Sequence, residues 1–180
     1  LGLDSNTNYI LFFGFIREYK GLKLLLNAFS KTDYRKLNLK LIIAGEYYTD
    51  EKPYIDLIEQ LQLIDHIVQF NQFIADENVK YYFSSSDLLV QPYLHATQSG
   101  VSQIAFQMNK PMIVTNVGGL PEMVNNGESG FIVEPDAQQL ADSIMAFYQG
   151  NLEQKFIENT KNEKQKYSWN SFVKAIEKLM

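Results

Sequence analysis

The sequence predicts an α/β protein, a Rossmann-like three-layer α/β/α domain around a parallel sheet of about six strands. Two observations predict this fold. Short, continuously apolar segments alternate along the chain with longer segments whose apolar residues recur at helical spacing. Uninterrupted apolar strands are typical of sheets that helices cover on both faces. The length of 180 residues and the hydrophobic fraction of 46% suit one domain, residues 1–180.

The first elements follow the chain start closely. YILFFGF, residues 9–15, predicts a buried strand because it is short, apolar and aromatic. Gly21 then precedes a helical pattern over 22–31. LKLIIAG, residues 39–45, predicts the second strand, which ends at a glycine.

The middle of the chain continues the alternation. Residues 53–64 favour a helix with Pro53 in its first turn, where a missing amide costs nothing. HIVQFN, residues 66–71, predicts a third strand. Residues 76–86 fit a short helix with Asp76 as its N-cap.

The next stretch predicts three strands and two helices. The strands are expected over 87–93, 111–116 and 129–134 because these runs are short and mostly apolar. A helix is expected over 98–109, and a short one over 122–126. We therefore expect ligands at the loops that follow the strands, because open parallel sheets bind ligands beyond their carboxyl ends.

The C-terminal part is predicted to be helical. Residues 136–150 offer Asp136 as a cap, Gln139 three residues later and Gly150 at the end. One or two further helices are expected up to the final SWNSFVKAIEKLM.

Composition and charge exclude several classes of protein. The net charge of −5 argues against a nucleic-acid-binding protein, which would carry an excess of basic residues. The absence of cysteine excludes disulfides and cysteine-ligated metals, and no apolar run reaches the roughly 20 residues that span a bilayer. The chain lacks a starting Met, so we expect a piece of a longer protein. We expect that protein to be cytoplasmic, with peripheral contact to the inner face of the membrane.

The loop GFIREYKG, residues 14–21, is a candidate anion site. Gly14 lets a ligand approach the backbone closely, and Arg17 and Lys20 place two cations beside a helix N-terminus. Phosphate is the ligand that such a loop favours. A plain turn with solvated cations explains the same residues.

The loop HATQSG, residues 95–100, is a second candidate. Thr97, Gln98 and Ser99 offer side-chain hydrogen bonds, and Gly100 an exposed amide, which together suit a phosphate or a sugar hydroxyl. Capping of the next helix by Thr97 or Ser99 is the alternative.

Other loops and residues have weaker signals. Gly118 and Gly119 either expose amides to a ligand or form a tight turn, and Phe73 in NQFIAD is suited to flank a nucleobase. His66 is interpreted as structural, whereas His95 lies in a candidate ligand loop. Neither histidine has metal-ligand spacing.

The order of these motifs resembles a known family. A strand, then YKG, LIIAGE, NQFIAD, DLLVQPY and finally KPMIVTNVGGLPEMVNNGESGFIVEP follow one another. This order resembles the C-terminal, donor-binding domain of retaining group 1 (family 4) glycosyltransferases, which have the two-domain GT-B fold. The resemblance covers nearly the whole chain, and residues 110–135 are its most specific part.

The resemblance implies that the chain binds a nucleoside-diphosphate sugar. Lys20 would contact the diphosphate together with an arginine. In many members that arginine follows the glycine, where this chain has Phe15, so Arg17 is the candidate replacement. Lys20 and Arg17 are the implied catalytic residues. The implied substrate-binding residues are Gly14, Phe15, Glu46, Phe73, Ile74, Tyr93, Thr97, Gln98, Ser99, Gly100 and Val101.

One departure from the family concerns two glutamates spaced E-x7-E. Their positions fall on Ala96 and Ile104, so the contact that usually holds the ribose needs another group. Polar residues near these positions are Gln98, Ser102 and Gln103.

The resemblance further implies retaining transfer without metal or cofactor, to a glycan or lipid-linked acceptor in polysaccharide biosynthesis. The acceptor would bind an N-terminal domain outside these residues, so the chain alone is expected to be inactive. Two alternatives remain open: a non-catalytic nucleotide-sugar-binding module, and a sugar-nucleotide epimerase of the same fold.

Overall fold

The computed structural model describes residues 1–166, which form one six-stranded sheet in which every pairing is parallel. The prediction of a parallel sheet of about six strands is confirmed. The strands are β1 (Asn8–Phe13), β2 (Leu39–Ala44), β3 (Ile67–Phe70), β4 (Leu88–Gln91), β5 (Met112–Thr115) and β6 (Gly130–Val133).

Helices cover both faces of this sheet, as the apolar strands require. They are α1 (Leu22–Ser30), α2 (Lys52–Gln60), α3 (Asp76–Ser84), α4 (Gly100–Gln107), α5 (Ala137–Gln149) and α6 (Glu153–Lys166). One buried cluster unites α1, α2, α5 and α6 with one face, and a second unites α3 and α4 with the other. The three-layer α/β/α arrangement is therefore confirmed.

The central strand β1 shows how the pleat divides the core. Ile10 and Phe12 point into the first cluster, and Leu11 and Phe13 into the second. All four are at most 8% exposed, so the strand is buried on both faces. This explains why its sequence is apolar without alternation.

The strand order is β3-β2-β1-β4-β5-β6. Strands β2 and β3 are added on one side of β1, and β4 to β6 on the other. The connections therefore diverge between β1 and β4, which is the switch point where doubly wound sheets bind their ligands. The loops after β1 and β4 are the two that the sequence marks as candidate ligand loops.

Three local predictions were wrong. The helix expected over 122–126 is a 3-10 turn at Leu120–Met123, and Val124 is already extended with φ −137°. His66 ends a 3-10 turn, Ile64–His66, rather than beginning a strand. Asp76 is the first residue of α3, whose N-cap is Ala75.

The start of α5 agrees with the prediction. The carboxylate of Asp136 accepts from the amides of Gln138 and Gln139, both at 2.9 Å. The predicted SWNSFVKAIEKLM helix lies outside the described residues. Within 1–166, no helix combines the length and the apolar character needed to cross a membrane.

Candidate functional site

A cleft of about 350 Å³ lies at the carboxyl ends of β1, β2, β3 and β4, beside the first turns of α3 and α4. Its volume is within the usual range of small-molecule sites. Eleven of the predicted site residues line it: Gly14, Phe15, Lys20, Glu46, Phe73, Ile74, Tyr93, Gln98, Ser99, Gly100 and Val101. Four separate loops thus converge on one cleft, as parallel topology dictates.

Two predicted residues do not line the cleft. Thr97 is exposed, and its carbonyl accepts from the amide of Gly119 at 2.8 Å. Arg17 is also exposed, and its guanidinium carbon lies 4.9 Å from the ring centroid of Tyr48. Arg17 is therefore beside the cleft rather than in its wall. Its role in catalysis stays a prediction.

Five lining residues were missed by the sequence analysis: Phe13, Tyr19, Gly45, Asp76 and Val79. Ile104, at the position of the family's second glutamate, also lines the cleft. Asp76 and Val79 are one turn apart on α3, so they share a helix face. Because this helix face directly follows a candidate ligand loop, the spacing could have predicted that Asp76 and Val79 line the cleft. Asp76 adds a second carboxylate to the cleft beside Glu46.

The floor of the cleft is formed where two loops touch through their backbones. Gly45 has φ +148°, and a Cβ atom there would lie 2.2 Å from the carbonyl oxygen of Gly14. The amide of Ile16 donates to Glu46 O at 2.8 Å, and the amide of Tyr48 donates to Ile16 O at 3.0 Å. The loops after β1 and β2 are thereby fixed to each other beside the cleft.

Lys20 is the cation of the cleft, and it is only 8% exposed. Its Nζ lies 5.8 Å from the ring centroid of Tyr93, and a Cβ atom on Gly14 would lie 3.0 Å from that nitrogen. No carboxylate of residues 1–166 forms an ion pair with Lys20. Burial, and secondarily the charge of Arg17, lowers the pKa of Lys20 to about 8. A buried ammonium without a counter-ion favours binding of an anion.

The N-terminus of α4 faces the same cleft. Ser99 caps the helix, because its Oγ accepts from the amide of Ser102 at 3.3 Å. Within the described chain, the amides of Gly100 and Val101 have no backbone acceptor. Amides at a helix start attract anions, so this end of the cleft reinforces Lys20.

A buried polar network holds that helix start in place. Gln91 is 1% exposed, and its Nε2 donates to Ser99 Oγ at 2.8 Å. Its Oε1 accepts from the hydroxyl of Ser102 at 2.7 Å. The hydroxyl of Ser102 is therefore paired inside the protein and does not face the cleft. Gln103 is exposed and donates to Met123 Sδ at 3.5 Å, so Gln98 is the one polar alternative of the three that lines the cleft.

Gly118 and Gly119 pack closely against the backbone of the 95–100 loop. Gly118 has φ +52°, and a Cβ atom there would lie 1.6 Å from Ala96 O. A Cβ atom on Gly119 would lie 2.5 Å from Thr97 O, and the Gly119 amide donates to that same oxygen. The structure therefore favours the turn interpretation for these glycines over ligand contact.

Aromatic side chains form another part of the cleft wall. The ring centroids of Phe15 and Phe73 are 6.3 Å apart with planes inclined by 29°. Tyr48 also packs against Phe15, at 4.5 Å between centroids. Phe73 is 63% exposed, which is unusual for a ring of its size.

The two histidines take no part in this cleft. His66 packs edge-on against Tyr34 with 4.6 Å between ring centroids, so its structural interpretation is supported. His95 is exposed and does not line the cleft. Among residues 1–166, no group of three or more His, Asp or Glu side chains is arranged to hold a metal ion.

A second depression, of about 540 Å³, is larger but chemically different. Gln103, Glu122 and Glu163 are among its lining residues. Its two carboxylates, without a lysine or arginine in the described lining, disfavour an anionic ligand. The anion-binding features thus converge on the first cleft.

A doubly wound parallel sheet with a cleft at its switch point, lined by a buried lysine and a helix start, defines a Rossmann-like ligand-binding domain. The chain belongs to the glycosyl transferases group 1 family, whose model matches residues 1–163. The fold is that of one half of a GT-B glycosyltransferase, as the comparisons below indicate.

One sequence relative and two solved structures illustrate this similarity. An uncharacterized glycosyltransferase of Methanocaldococcus jannaschii is 29% identical over 180 residues, covering 97% of this chain and 45% of the relative. The C-terminal domain of the group 1 glycosyl transferase LpcC of Francisella tularensis superposes with a TM-score of 0.74 at 25% identity, covering 90% of this chain and 87% of that one. Anabaena HepE, solved with UDP-glucose, has a TM-score of 0.79 at 17% identity over 97% and 49% of the two chains. The chain spans about half the length of the curated relatives it matches, or less.

Proposed function

We propose that this chain binds a nucleoside-diphosphate sugar and forms the donor-binding half of a retaining glycosyltransferase. The observation that carries the proposal is Lys20, a buried cation that pairs with no carboxylate of residues 1–166, in a cleft that also receives the start of α4. A diphosphate supplies the anion that this arrangement lacks. The UDP-glucose complex of the structurally similar HepE supports a ligand of this class.

The diphosphate would lie between Lys20 and the amides of Gly100 and Val101. In the transfer step, the bond between the anomeric carbon and the diphosphate oxygen breaks. The bond from the acceptor oxygen forms on the same face. The acceptor proton moves to the departing phosphate, so no protein base is required. The protein then acts by stabilising the negative charge that develops on the diphosphate.

The nucleoside and the sugar of the donor also have residues to contact in the cleft. Glu46, Ile74 and Phe73 would lie beside the nucleoside, and Gln98 and Ser99 beside the sugar. Ionised carboxylates accept hydrogen bonds only, so Glu46 or Asp76 can pair with ribose hydroxyls. This offers a replacement for the carboxylate that is absent at Ile104. We propose that neither metal nor cofactor is needed, because Lys20 and the helix amides supply the positive field.

We further propose that the acceptor, a glycan or a lipid-linked sugar, binds an N-terminal domain of a longer protein. The chain would be its C-terminal domain and would not transfer sugar alone. The superposition with the C-terminal domain of LpcC supports this division. A role in polysaccharide biosynthesis, at the cytoplasmic face of a membrane, belongs to the same proposal.

One observation favours a second candidate, a non-catalytic nucleotide-sugar-binding module. Ile104 presents an apolar side chain to the cleft, and Ala96 is half-buried against the backbone near Gly118. Such a module would bind the donor without transferring it. Binding with no turnover by the longer protein would favour this candidate.

Activity of the longer protein tests the first candidate. We expect Lys20→Ala to lower sugar transfer by roughly two orders of magnitude, the scale seen when one charge-stabilising donor is removed. Lys23→Ala is the matched control. Lys23 is exposed on α1, so this substitution removes the same charge outside the cleft. Equal activity of the two variants would remove Lys20 from the mechanism.

A further inference from the structure

Tyr93, two residues after β4, lines the cleft but offers little surface to a ligand, since it is only 4% exposed. What its ring does contact is a charge. Lys20 Nζ lies over the ring, 5.8 Å from the centroid. An ammonium over an aromatic face is attracted by the negative face of the ring, and more strongly where water is excluded. Because no carboxylate of residues 1–166 forms an ion pair with Lys20, the ring is a favourable partner for this cation.

Tyr93 itself is held at three points. Gln91 Nε2 donates to its hydroxyl at 3.3 Å, and Thr115 Oγ1 donates to its carbonyl oxygen at 2.6 Å. The ring of Tyr19 packs against its ring at an angle of 87°, with 5.9 Å between centroids. A side chain fixed at its hydroxyl, its backbone and its ring offers the ammonium of Lys20 a defined position.

Backbone contacts on either side of Lys20 tie the loop after β1 to the loop after β4. The amide of Leu94 donates to Tyr19 O at 2.7 Å. Gly21 has φ +71°, and a Cβ atom there would lie 1.9 Å from Pro92 O, so the two loops touch at this point too. Both neighbours of Lys20 in the chain are therefore anchored to the loop that carries the aromatic ring.

The hydroxyl of Tyr93 belongs to the network that caps α4. Gln91 Nε2 donates both to this hydroxyl and to Ser99 Oγ, at 3.3 Å and 2.8 Å. Ser99 is the N-cap of α4. One aromatic side chain thus contacts the cation through its ring and the helix cap through its hydroxyl, by way of one amide group.

Lys20 and the start of α4 border the same space. A Cβ atom on Gly14 would lie 3.0 Å from Lys20 Nζ and 3.5 Å from Val101 Cγ2. An anion in this space is attracted by the ammonium and by the helix amides together. The joint attraction depends on where the ammonium is held.

We propose that Tyr93 is a positioning residue of the diphosphate site, which holds the Lys20 ammonium in place beside the start of α4. The inference rests on the proposed function, because that function places the diphosphate at these two elements. A lysine side chain that is ordered only when the ligand arrives loses its rotamer freedom at that moment. Because Tyr93 orders Lys20 beforehand, this cost does not reduce the affinity. Tyr93 therefore acts through Lys20 and needs no contact with the ligand.

Calorimetric titration tests the role of the ring, with whichever of UDP, GDP and ADP the wild-type protein binds most tightly. Tyr93→Leu removes the ring and should lower the affinity by about tenfold to thirtyfold, the scale of ordering one lysine side chain. Tyr93→Phe keeps the aromatic face and should stay within about threefold of the wild type. Urea denaturation checks the fold of each variant, and Tyr93→Met is the second ring-free variant should Tyr93→Leu not fold.

Tyr82→Leu is the matched control for the loss of a buried ring. Tyr82 is also 4% exposed, but it does not line the cleft. Its substitution should lower the stability and leave the affinity within about twofold of the wild type, because it lies outside the site. A purely structural role of Tyr93 would make the two Leu variants behave alike.

A double-mutant cycle shows whether Tyr93 acts through Lys20. In a Lys20→Met background, Tyr93→Leu should change the affinity by less than about threefold, because no ammonium remains to be positioned. An equal fold-loss in both backgrounds, unchanged affinity in Tyr93→Leu, or a loss in Tyr93→Phe as large as in Tyr93→Leu would overturn the positioning role but leave the donor domain intact. Failure of the wild-type protein to bind UDP, GDP and ADP would overturn the proposed function and the positioning role together.

Discussion

Gln91 at the end of β4 donates a 2.8 Å hydrogen bond to the hydroxyl of Ser99, the residue that caps α4. The same amide group accepts from Ser102, one turn into the helix. A strand end and a helix start are therefore joined inside the protein, where polar groups are costly unless paired. This junction determines where the amides of Gly100 and Val101 lie relative to Lys20.

We expect Gln91→Leu to destabilise the fold by about 1–3 kcal/mol, because it removes the partner of the buried Ser102 hydroxyl and of the half-buried Ser99 hydroxyl. Diphosphate affinity should fall as well, since the helix start loses its anchor. Urea denaturation and calorimetric titration measure the two effects. Gln107→Leu, at an exposed position of α4, should change stability by less than about 0.5 kcal/mol. Similar unfolding curves for both variants would contradict the importance of the network.

Gly118→Ala tests the support of the 95–100 loop. Both Gly118 and Gly127 have positive φ, +52° and +77°, but a Cβ atom meets Ala96 O at 1.6 Å in the first case and nothing within 4 Å in the second. Gly127→Ala should cost about 1–2 kcal/mol, the cost of the left-handed conformation alone. Gly118→Ala should cost clearly more and should weaken donor binding. Equal losses of stability would show that the loop contact is unimportant.

The pKa of Lys20 predicts a pH dependence of binding. The amine must be protonated to pair with a diphosphate, and burial lowers its pKa to about 8. Affinity should therefore be full near pH 7 and fall as the pH rises through 8. At pH 8, binding should take up about half a proton from the buffer, because half of the amines are already protonated and the bound anion raises the pKa again. Calorimetric titrations in buffers of different ionisation enthalpy measure the affinity and the proton uptake. The range from pH 7 to 9.5 lies above the phosphate pKa of about 6, so the charge of the ligand changes little.

A flat profile for Lys20→Met over the same range is the matching control. A fall in affinity that persists in Lys20→Met would assign the pH dependence to another group.

Arg17→Gln separates the two cations of the first loop. The charge of Arg17 contributes to the lowered pKa of Lys20, although burial contributes more. Its removal should therefore move the alkaline fall in affinity to higher pH. Affinity near pH 7 should fall much less than in Lys20→Ala, because Arg17 does not line the cleft. A loss as large as that of Lys20→Ala would place Arg17 in contact with the diphosphate instead.

The sequence predicted the sheet, the helices and most of the cleft because each rests on local information. Apolar runs identify strands, and parallel topology brings the loops that follow them to one edge. These two kinds of information were enough to place Lys20 and Gly100 in the cleft wall.

The missed features depend on contacts between distant residues. Gln91 reads as part of a strand, and only the fold reveals that it anchors Ser99. Arg17 and Lys20 look equivalent in sequence, but the 3-10 turn Glu18–Lys20 buries Lys20 and leaves Arg17 over Tyr48. Gly118 looks like a ligand-loop glycine until its approach to Ala96 is known.

Calorimetric titration of the chain with UDP, GDP and ADP, with magnesium and then with chelator, tests the central claim most directly. The account predicts that at least one nucleoside diphosphate binds equally well without metal, and that Lys20→Ala strongly weakens this binding while Lys23→Ala preserves it. Binding that requires magnesium, or that survives Lys20→Ala unchanged, would contradict the assignment of Lys20 and the start of α4 as the diphosphate site.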